Sequence, residues 1–276
     1  MGRRAQPGSP LDAIQRVKQA AGLPLTNWFA GAGQLERWTA AGTLSYLESP
    51  GAVLIFRRDR DFHHVYHVAA DRGALDAALG LLRDAGLSPA VFTAEILGRP
   101  GDVPPIAALF QAHGFVRHTS LTRMVRLAGA GDAALPDDSE VAFGGPADQP
   151  SIQEFLDSVL DRFRDRMPDT EELAEMLSQR QTLVVRRGAD VGGVLIFEAT
   201  GLTSHLRYWY VNPSFRDRGI GARLIRTFFR LSSGGKRIIL WVVSDNTDAI
   251  DKYQHYGFRP ESLVDWIMID KGKGQR

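Results

Sequence analysis

The stretch YWYVNPSFRDRGIGARLIRTFFR, residues 208–230, decides how this chain is read. It opens as an aromatic strand and passes through Asn212-Pro213. It then sets Arg216, Arg218, Gly219 and Gly221 ahead of an amphipathic helix. A turn needs only the Asn-Pro. Glycine lacks Cβ, so backbone N–H groups at Gly219 and Gly221 can approach a ligand closely. They open a helix, whose first N–H groups are unpaired and carry partial positive charge. Arg216 and Arg218 add full charges. Such a loop suits a phosphate or pyrophosphate. A glycine-rich turn with solvated arginines is the alternative this stretch alone leaves open. It is not a dinucleotide fingerprint, because Leu224 stands where the third glycine belongs, and no Gly-Lys-Ser/Thr follows to make a P-loop.

Outward from this loop, strands and helices alternate. TLVVRRG, VGGVLIFEAT and SHLRYWYV precede it as strands, and the helices DQPSIQEFLDSVLDRFRD and DTEELAEMLSQ come before them. After the helix GIGARLIRTFFRLSSGG come a strand RIILWVVS, a helix NTDAIDKYQHYG and a last strand LVDWIMID. The first half runs through a comparable order: helices at 11–22 and 33–41, three apolar strands, a helix, a strand, a helix and a strand. IAALFQAHGF (106–115) matches AIDKYQHYGF (249–258) without a gap, which sets Phe110 on Tyr253 and Gly114 on Gly257. The two halves therefore read as copies of one fold. AGAGDAALPDD (128–138), small and Pro-containing, reads as the linker between them.

The 276 residues leave room for two ordinary domains. Hydrophobic residues make up 44% and charged residues 24%, the balance of a soluble globular protein. A formal net charge of +1 argues against nucleic acid or an anionic membrane as partner. The chain has no cysteine, which excludes disulfides, thiolate nucleophiles and Cys-type zinc sites. No apolar run reaches the length of a membrane span. MGRRAQPGSP leads into a charged amphipathic segment rather than a secretory signal, so a cytoplasmic location is expected. Residues 1–10 and 273–276 are expected to be flexible ends. His63, His64 and His67 lack accompanying carboxylates at ligand spacing, and no metal is expected. RRDRDFHH reads as a solvated hairpin tip.

Val211, Pro213, Arg216, Gly219, Gly221 and Ala222 in the loop, with Asn246, Ala249, Tyr253, Gly257 and Phe258 beyond it, carry a family pattern. Residues 139–272 thereby resemble the GNAT superfamily of acyl-CoA-dependent N-acetyltransferases. The resemblance implies an α/β fold: a central twisted, mostly antiparallel sheet flanked by helices. It implies acetyl-CoA as cosubstrate, its pyrophosphate wrapped by Arg216, Arg218, Gly219, Ile220, Gly221 and Ala222. The strand ending in Tyr210 and Val211 would splay from its neighbour and hold the pantetheine arm, the Val211 N–H serving as an oxyanion donor. Asn246 and Tyr253 would line the other wall, with Tyr253 as proton donor to the departing thiolate. For the base, ungapped counting back from Arg216 puts a frequent family position on His205, and Glu198 on the preceding strand is the alternative.

The first half, residues 11–127, has DRGALDAAL where the loop should be. Gly73 is present but the second glycine is missing, Asp76 brings negative charge to the helix start, and Phe110 replaces the tyrosine. This half reads as a degenerate GNAT-like domain without transfer chemistry. The expected activity is acetyl transfer by direct attack of an amine in the C-terminal domain. A small-molecule acceptor is expected rather than a protein lysine. A non-catalytic acyl-CoA-binding or regulatory module, or acyl transfer to an oxygen or sulfur acceptor, remains the alternative.

Overall fold

The computed structural model describes residues 4–88, 90–188, 190–216 and 218–272. The chain forms two compact units. The first runs to Leu121 and takes in the residues from Ser262 onward, and the second spans Thr122–Glu261.

The first unit contains β1 (Gln6–Pro7), α1 (Leu11–Ala21), β2 (Leu25–Thr26), α2 (Ala32–Ala40), β3 (Leu44–Ser49), β4 (Ala52–Asp59) and β5 (Phe62–Ala69). These are followed by α3 (Arg72–Gly80), β6 (Phe92–Gly98), α4 (Val103–Ala112) and the start of β7 (Val116–Leu127). The second unit adds α5 (Ala130–Ala133), β8 (Val141–Phe143), α6 (Gln149–Val159), α7 (Thr170–Ser178), β9 (Thr182–Arg187), β10 (Asp190–Thr200) and β11 (Thr203–Val211). It continues with α8 (Ile220–Leu231), β12 (Arg237–Val243), α9 (Thr247–His255) and the start of β13 (Arg259–Asp270).

The strand order is β1-β3-β4-β5-β6-β13 in the first unit and β7-β12-β11-β10-β9-β8 in the second. Each sheet has a parallel pair, β5 with β6 and β11 with β12, and neighbours that are mostly antiparallel. Alternation along the strands feeds two apolar layers in each unit. In the second, Leu183, Val185 and Leu195 face Leu224 and Phe228 of α8, while Val184, Val194 and Ile196 face Ile152 of α6 and Leu173 of α7. In the first, Leu54, Phe56 and Val65 pack with Leu75 and Phe110, while Val53, Ile55 and Tyr66 pack with Ile14 and Trp38. Each unit is a sheet covered by helices on both faces, as the sequence predicts.

Several expectations change. The last strand, read as the end of a domain spanning 139–272, lies in the first unit from Ser262 onward, where Val264–Asp270 pairs antiparallel with Phe92–Gly98. An apolar run carries no local mark of its partner strand, since pairing across a sheet is non-local. The stretch 128–138 is ordered rather than a free linker. The Asp132 carboxylate accepts from both terminal nitrogens of Arg126 at 2.6 and 2.7 Å, and Asp138 and Asp137 pair with Arg223 and Arg230 of α8. Its acidic residues are counter-charges for these arginines. Within residues 1–10, Gln6 and Pro7 pair with Tyr46 and Ser45, and the Ala5 N–H donates to the Ala85 carbonyl at 2.9 Å. Residues 1–3 and 273–276, expected as flexible ends, lie outside the described residues. Helix α6 stops at Val159 rather than running on to residue 165. The Asp161 carboxylate accepts from the N–H groups of Phe163 and Arg164 at 2.9 and 3.3 Å, a local alternative to the helical ladder.

Candidate active site

The site starts from a defect in one strand. Antiparallel to β10, Ile196 stands opposite Tyr208 and Phe197 opposite Leu206, which leaves Arg207 as the extra residue of a β-bulge. A bulge bends its strand and resets which face each side chain takes. Strict alternation along the strand would put His205, Arg207 and Trp209 on one face, and the bulge breaks it. Leu206, Trp209 and Val211 pack on the α8 side, while Tyr208 and Tyr210 pack on the α6 side. Pairing of β11 with β12 covers Thr203–His205 against Arg237–Ile239 and stops where the bulge begins. Beyond it the two strands diverge.

The register shows what the divergence exposes. The Asn212 N–H donates to the Gly192 carbonyl at 3.0 Å, across the Gly193–Val211 pair. Gly193–Val211 is thus a non-hydrogen-bonded pair, and the N–H and C=O of Val211 point away from β10. The same parity turns the N–H and C=O of Trp209 outward. Both residues offer main-chain groups to the open side of the strand.

At the mouth of this opening lies the N-terminus of α8. Gly219 takes the left-handed conformation, φ 71°, and among the described residues no side chain caps the helix. The first internal bond runs from the Arg223 N–H to the Gly219 carbonyl at 3.1 Å. The N–H groups of Ile220, Gly221 and Ala222 precede it and have no acceptor within the helix. Arg216 and Arg218 are exposed. Among the described residues neither forms an ion pair, and the Arg218 guanidinium lies 5.5 Å from the Phe215 ring centroid. Main-chain donors, a helix dipole and the two arginines meet at one point, an arrangement whose chemistry suits an anion.

Two residues that sequence reasoning missed hold the helix there. A Cβ on Gly193 would lie 2.6 Å from Cγ2 of Ile220 and 3.1 Å from Cδ1 of Leu224. On Gly192 it would lie 3.0 Å from Cγ of Arg187 and 3.3 Å from Cδ1 of Ile220. The glycine pair lets the first turn of α8 sit directly on β10. The doubled glycine inside an otherwise largely apolar strand was the available signal.

The predicted catalytic side chains fall on different sides. Tyr253 of α9 packs among Trp209, with ring centroids 5.8 Å apart, and Phe258, also at 5.8 Å. Burial pushes its phenol well above the ordinary tyrosine value, with Tyr210 adding to the shift. Asn246 is the N-cap of α9. Its Oδ1 accepts from the Ala249 N–H at 3.1 Å, a structural task for this carbonyl. His205 and Glu198 stand opposite each other in the β10–β11 register. Burial, followed by the charges of Arg207, Arg123 and Arg166, depresses His205 to about 3. Glu198 is ion-paired with Arg207 at 2.5 Å. Tyr210 is pushed up to about 12 by burial, with Asp165 next in effect. The segment after α6 folds over this face, where the Tyr208 hydroxyl donates to the Arg166 carbonyl and Asp165 is held by Arg164.

The corresponding end of α3 in the first unit is built differently. Asp71 caps it, accepting from the Ala74 N–H at 2.8 Å. The negative charge at the helix start thus belongs to Asp71. Asp76, expected there, lies further along and pairs with His113 at 2.8 Å. Phe110 is fully buried against Phe115. His63, His64 and His67 are buried in β5, with His64 bonded to Asp59 at 3.2 Å, so the predicted solvated tip is confined to the exposed Arg58, Arg60 and Asp61.

The second unit is thus a helix-covered mixed sheet that opens where β11 leaves β12, with the start of α8 at the mouth. Residues 151–258 match the acetyltransferase (GNAT) family. An uncharacterized N-acetyltransferase of Methanocaldococcus jannaschii is 38% identical over 65 residues, which is 22% of this chain and only 29% of that relative. Among solved structures, a GCN5-related N-acetyltransferase from Sphaerobacter thermophilus superposes with a TM-score of 0.61 at 17% identity, covering 96% of this chain and 94% of the other. A tandem GNAT protein from the clavulanic acid biosynthesis pathway gives 0.54 at 14% identity, over 84% of each chain. At these identities the likeness to solved structures is one of fold. The GNAT family match thus covers residues 151–258, and the chain as a whole shares its fold with solved GNAT proteins, a tandem one among them.

Proposed function

We propose that the C-terminal unit transfers an acetyl group from acetyl-CoA to the amine of a small molecule by direct attack. The observation that carries this reading is the outward Val211 N–H, next to an uncapped α8 whose first turn is flanked by Arg216 and Arg218. The pyrophosphate of CoA takes the helix start, and charge-assisted bonds from the arginines secure it. The pantetheine arm runs along the open edge of β11, with Trp209 and Val211 supplying main-chain partners. The thioester carbonyl meets the Val211 N–H, a donor of the kind worth about 3–4 kcal/mol to an oxyanion.

The neutral amine attacks the carbonyl carbon, an N–C bond forms, and collapse breaks the C–S bond. One proton leaves the amine and one is taken up by the thiolate. Tyr253 keeps its proton through the neutral range and donates a hydrogen bond to the departing sulfur. Burial and the charges of Arg207, Arg123 and Arg166 disfavour a proton on His205. We therefore assign proton removal to Glu198 rather than His205. The segment folded over Tyr208 and Tyr210 encloses the acceptor face, which favours a small molecule over a protein lysine.

The test is thiol release from acetyl-CoA with a panel of amines, alcohols and thiols. Release with amines alone supports the proposal. Tight CoA binding without thiol release from any acceptor sinks it in favour of a binding module, and release with alcohols or thiols redirects it to oxygen or sulfur transfer.

A further inference from the structure

The first unit has the same opening between its parallel strands, and its own chain fills it. Pairing of β5 with β6 covers His63–Phe92 and His64–Thr93, after which the strands part. The Ala70 N–H donates to the Gly51 carbonyl at 2.8 Å across the Ala52–Ala69 pair. The parity of β5 is therefore that of β11: the main-chain groups of Val65, His67 and Ala69 point into the opening. In β11 no described residue pairs with the matching groups. In β5 the segment Leu25–Trp28 lies against them.

Asn27 takes three of them. Its Oδ1 accepts from the His67 N–H at 2.6 Å, and its own N–H donates to the His67 carbonyl at 3.3 Å. Its Nδ2 donates to the Val65 carbonyl at 3.2 Å and to the Glu95 carbonyl on β6 at 2.8 Å. One amide thus bridges both diverging strands. Leu25 and Thr26 continue the contact as β2, paired with Ala69 and Val68, and the Thr26 hydroxyl donates to the His67 carbonyl at 2.8 Å. Trp28 anchors the segment from behind, its ring centroid 5.3 Å from that of Tyr66 and 6.2 Å from that of Trp38. Asn27 and Trp28 are both buried.

We propose that Leu25–Trp28 is a built-in surrogate for an acyl-carrier arm. It permanently occupies the thioester seat of the first unit, so the chain binds one CoA and binds it in the second unit. A pantetheine arm is an extended chain of amides, and Asn27 presents an amide to the same main-chain groups that such an arm would meet. Displacing it would break the bonds from its Nδ2 to the Val65 and Glu95 carbonyls. An incoming CoA would also meet Asp71 at the helix start, where the second unit has free N–H groups. The proposal rests on the reading of the C-terminal opening as a thioester seat, and its test keeps the two apart.

That test is amide hydrogen exchange on the full chain, with and without CoA, alongside calorimetric stoichiometry. In the free protein, the His67 amide should exchange about 100-fold more slowly than that of Val211, because one is bonded and the other open. Adding CoA should slow Trp209, Val211 and Ile220–Ala222 and leave residues 25–28 and 65–69 unchanged, with one CoA per chain. Failure of the C-terminal amides to respond would count against the functional reading alone. Equal exchange of His67 and Val211 in the free protein would overturn the surrogate whether or not CoA binds. So would a second CoA per chain, or a response at residues 25–28. Asn27→Ala, checked for folding by circular dichroism, should release the His67 amide to within roughly tenfold of Val211. If that variant fails to fold, the wild-type comparison still decides.

Discussion

The second unit leaves open what the first has closed. Each has a parallel strand pair that diverges, and each puts a helix start beyond the end of the leading strand. In the second unit, among the described residues, the edge of β11 beyond His205 is unpaired, and α8 starts on Gly219 without a cap. In the first, Asn27 is bonded to both diverging strands, and Asp71 caps α3. The contrast shows where the stability of such a fold goes. An N-cap side chain contributes about 1 kcal/mol, and each satisfied main-chain group a similar amount. The first unit realises these gains within its own chain. The second forgoes them, and leaves the same groups for a ligand.

The sharpest way to break the comparison is to give the second unit the first unit's charge. A Cβ on Gly221 meets Trp209 and Val211 at 3.4 Å, an ordinary contact, so Gly221→Asp should fold. Its carboxylate at the helix start should weaken CoA binding by at least about 100-fold in titration calorimetry. Removing attraction instead of adding repulsion should do less. Arg216→Ala with Arg218→Ala should raise the Kd for CoA roughly 30-fold at low salt, and less in concentrated salt. The catalytic contrast is smaller again. Tyr253→Phe makes the second unit match Phe110 of the first, and should lower kcat by about tenfold with the CoA Kd unchanged. Phe110→Tyr should confer nothing, because that ring is sealed in the first unit's core.

The smallest effect concerns pH. An ordinary histidine gains its proton as pH falls through about 6.5. Burial holds His205 near 3, so it stays neutral down to about pH 4 and contributes no inflection near 6.5 to kcat/KM. His205→Ala should change kcat/KM by less than about threefold, and Glu198→Gln by about tenfold or more. An inflection near 6.5 that vanishes in His205→Ala would reverse that assignment.

The loop from Arg216 to Ala222 was legible because it departs from what a turn or a helix start needs. The layered fold was legible because alternation along β9 and β10 maps directly onto two apolar faces. Other features rest on contacts far apart in sequence. The bulge at Arg207 leaves no local mark, yet it decides which side chains face the opening. Asn27 looks like an ordinary turn residue beside Thr26, and its partners at Val65, His67 and Glu95 appear only once the strands are assembled. The same holds for the last strand, whose place beside β6 is fixed by non-local pairing. The acids of 128–138 looked like linker polarity because Arg223 and Arg230 stand far along the chain.

The claim that the second unit's opening is a thioester seat is tested most directly by a crystal structure of the chain with acetyl-CoA. The account predicts the pyrophosphate on the first turn of α8, and the thioester oxygen about 3 Å from the Val211 nitrogen. Acetyl-CoA bound between β5 and β6, or held with its thioester away from β11, would contradict it.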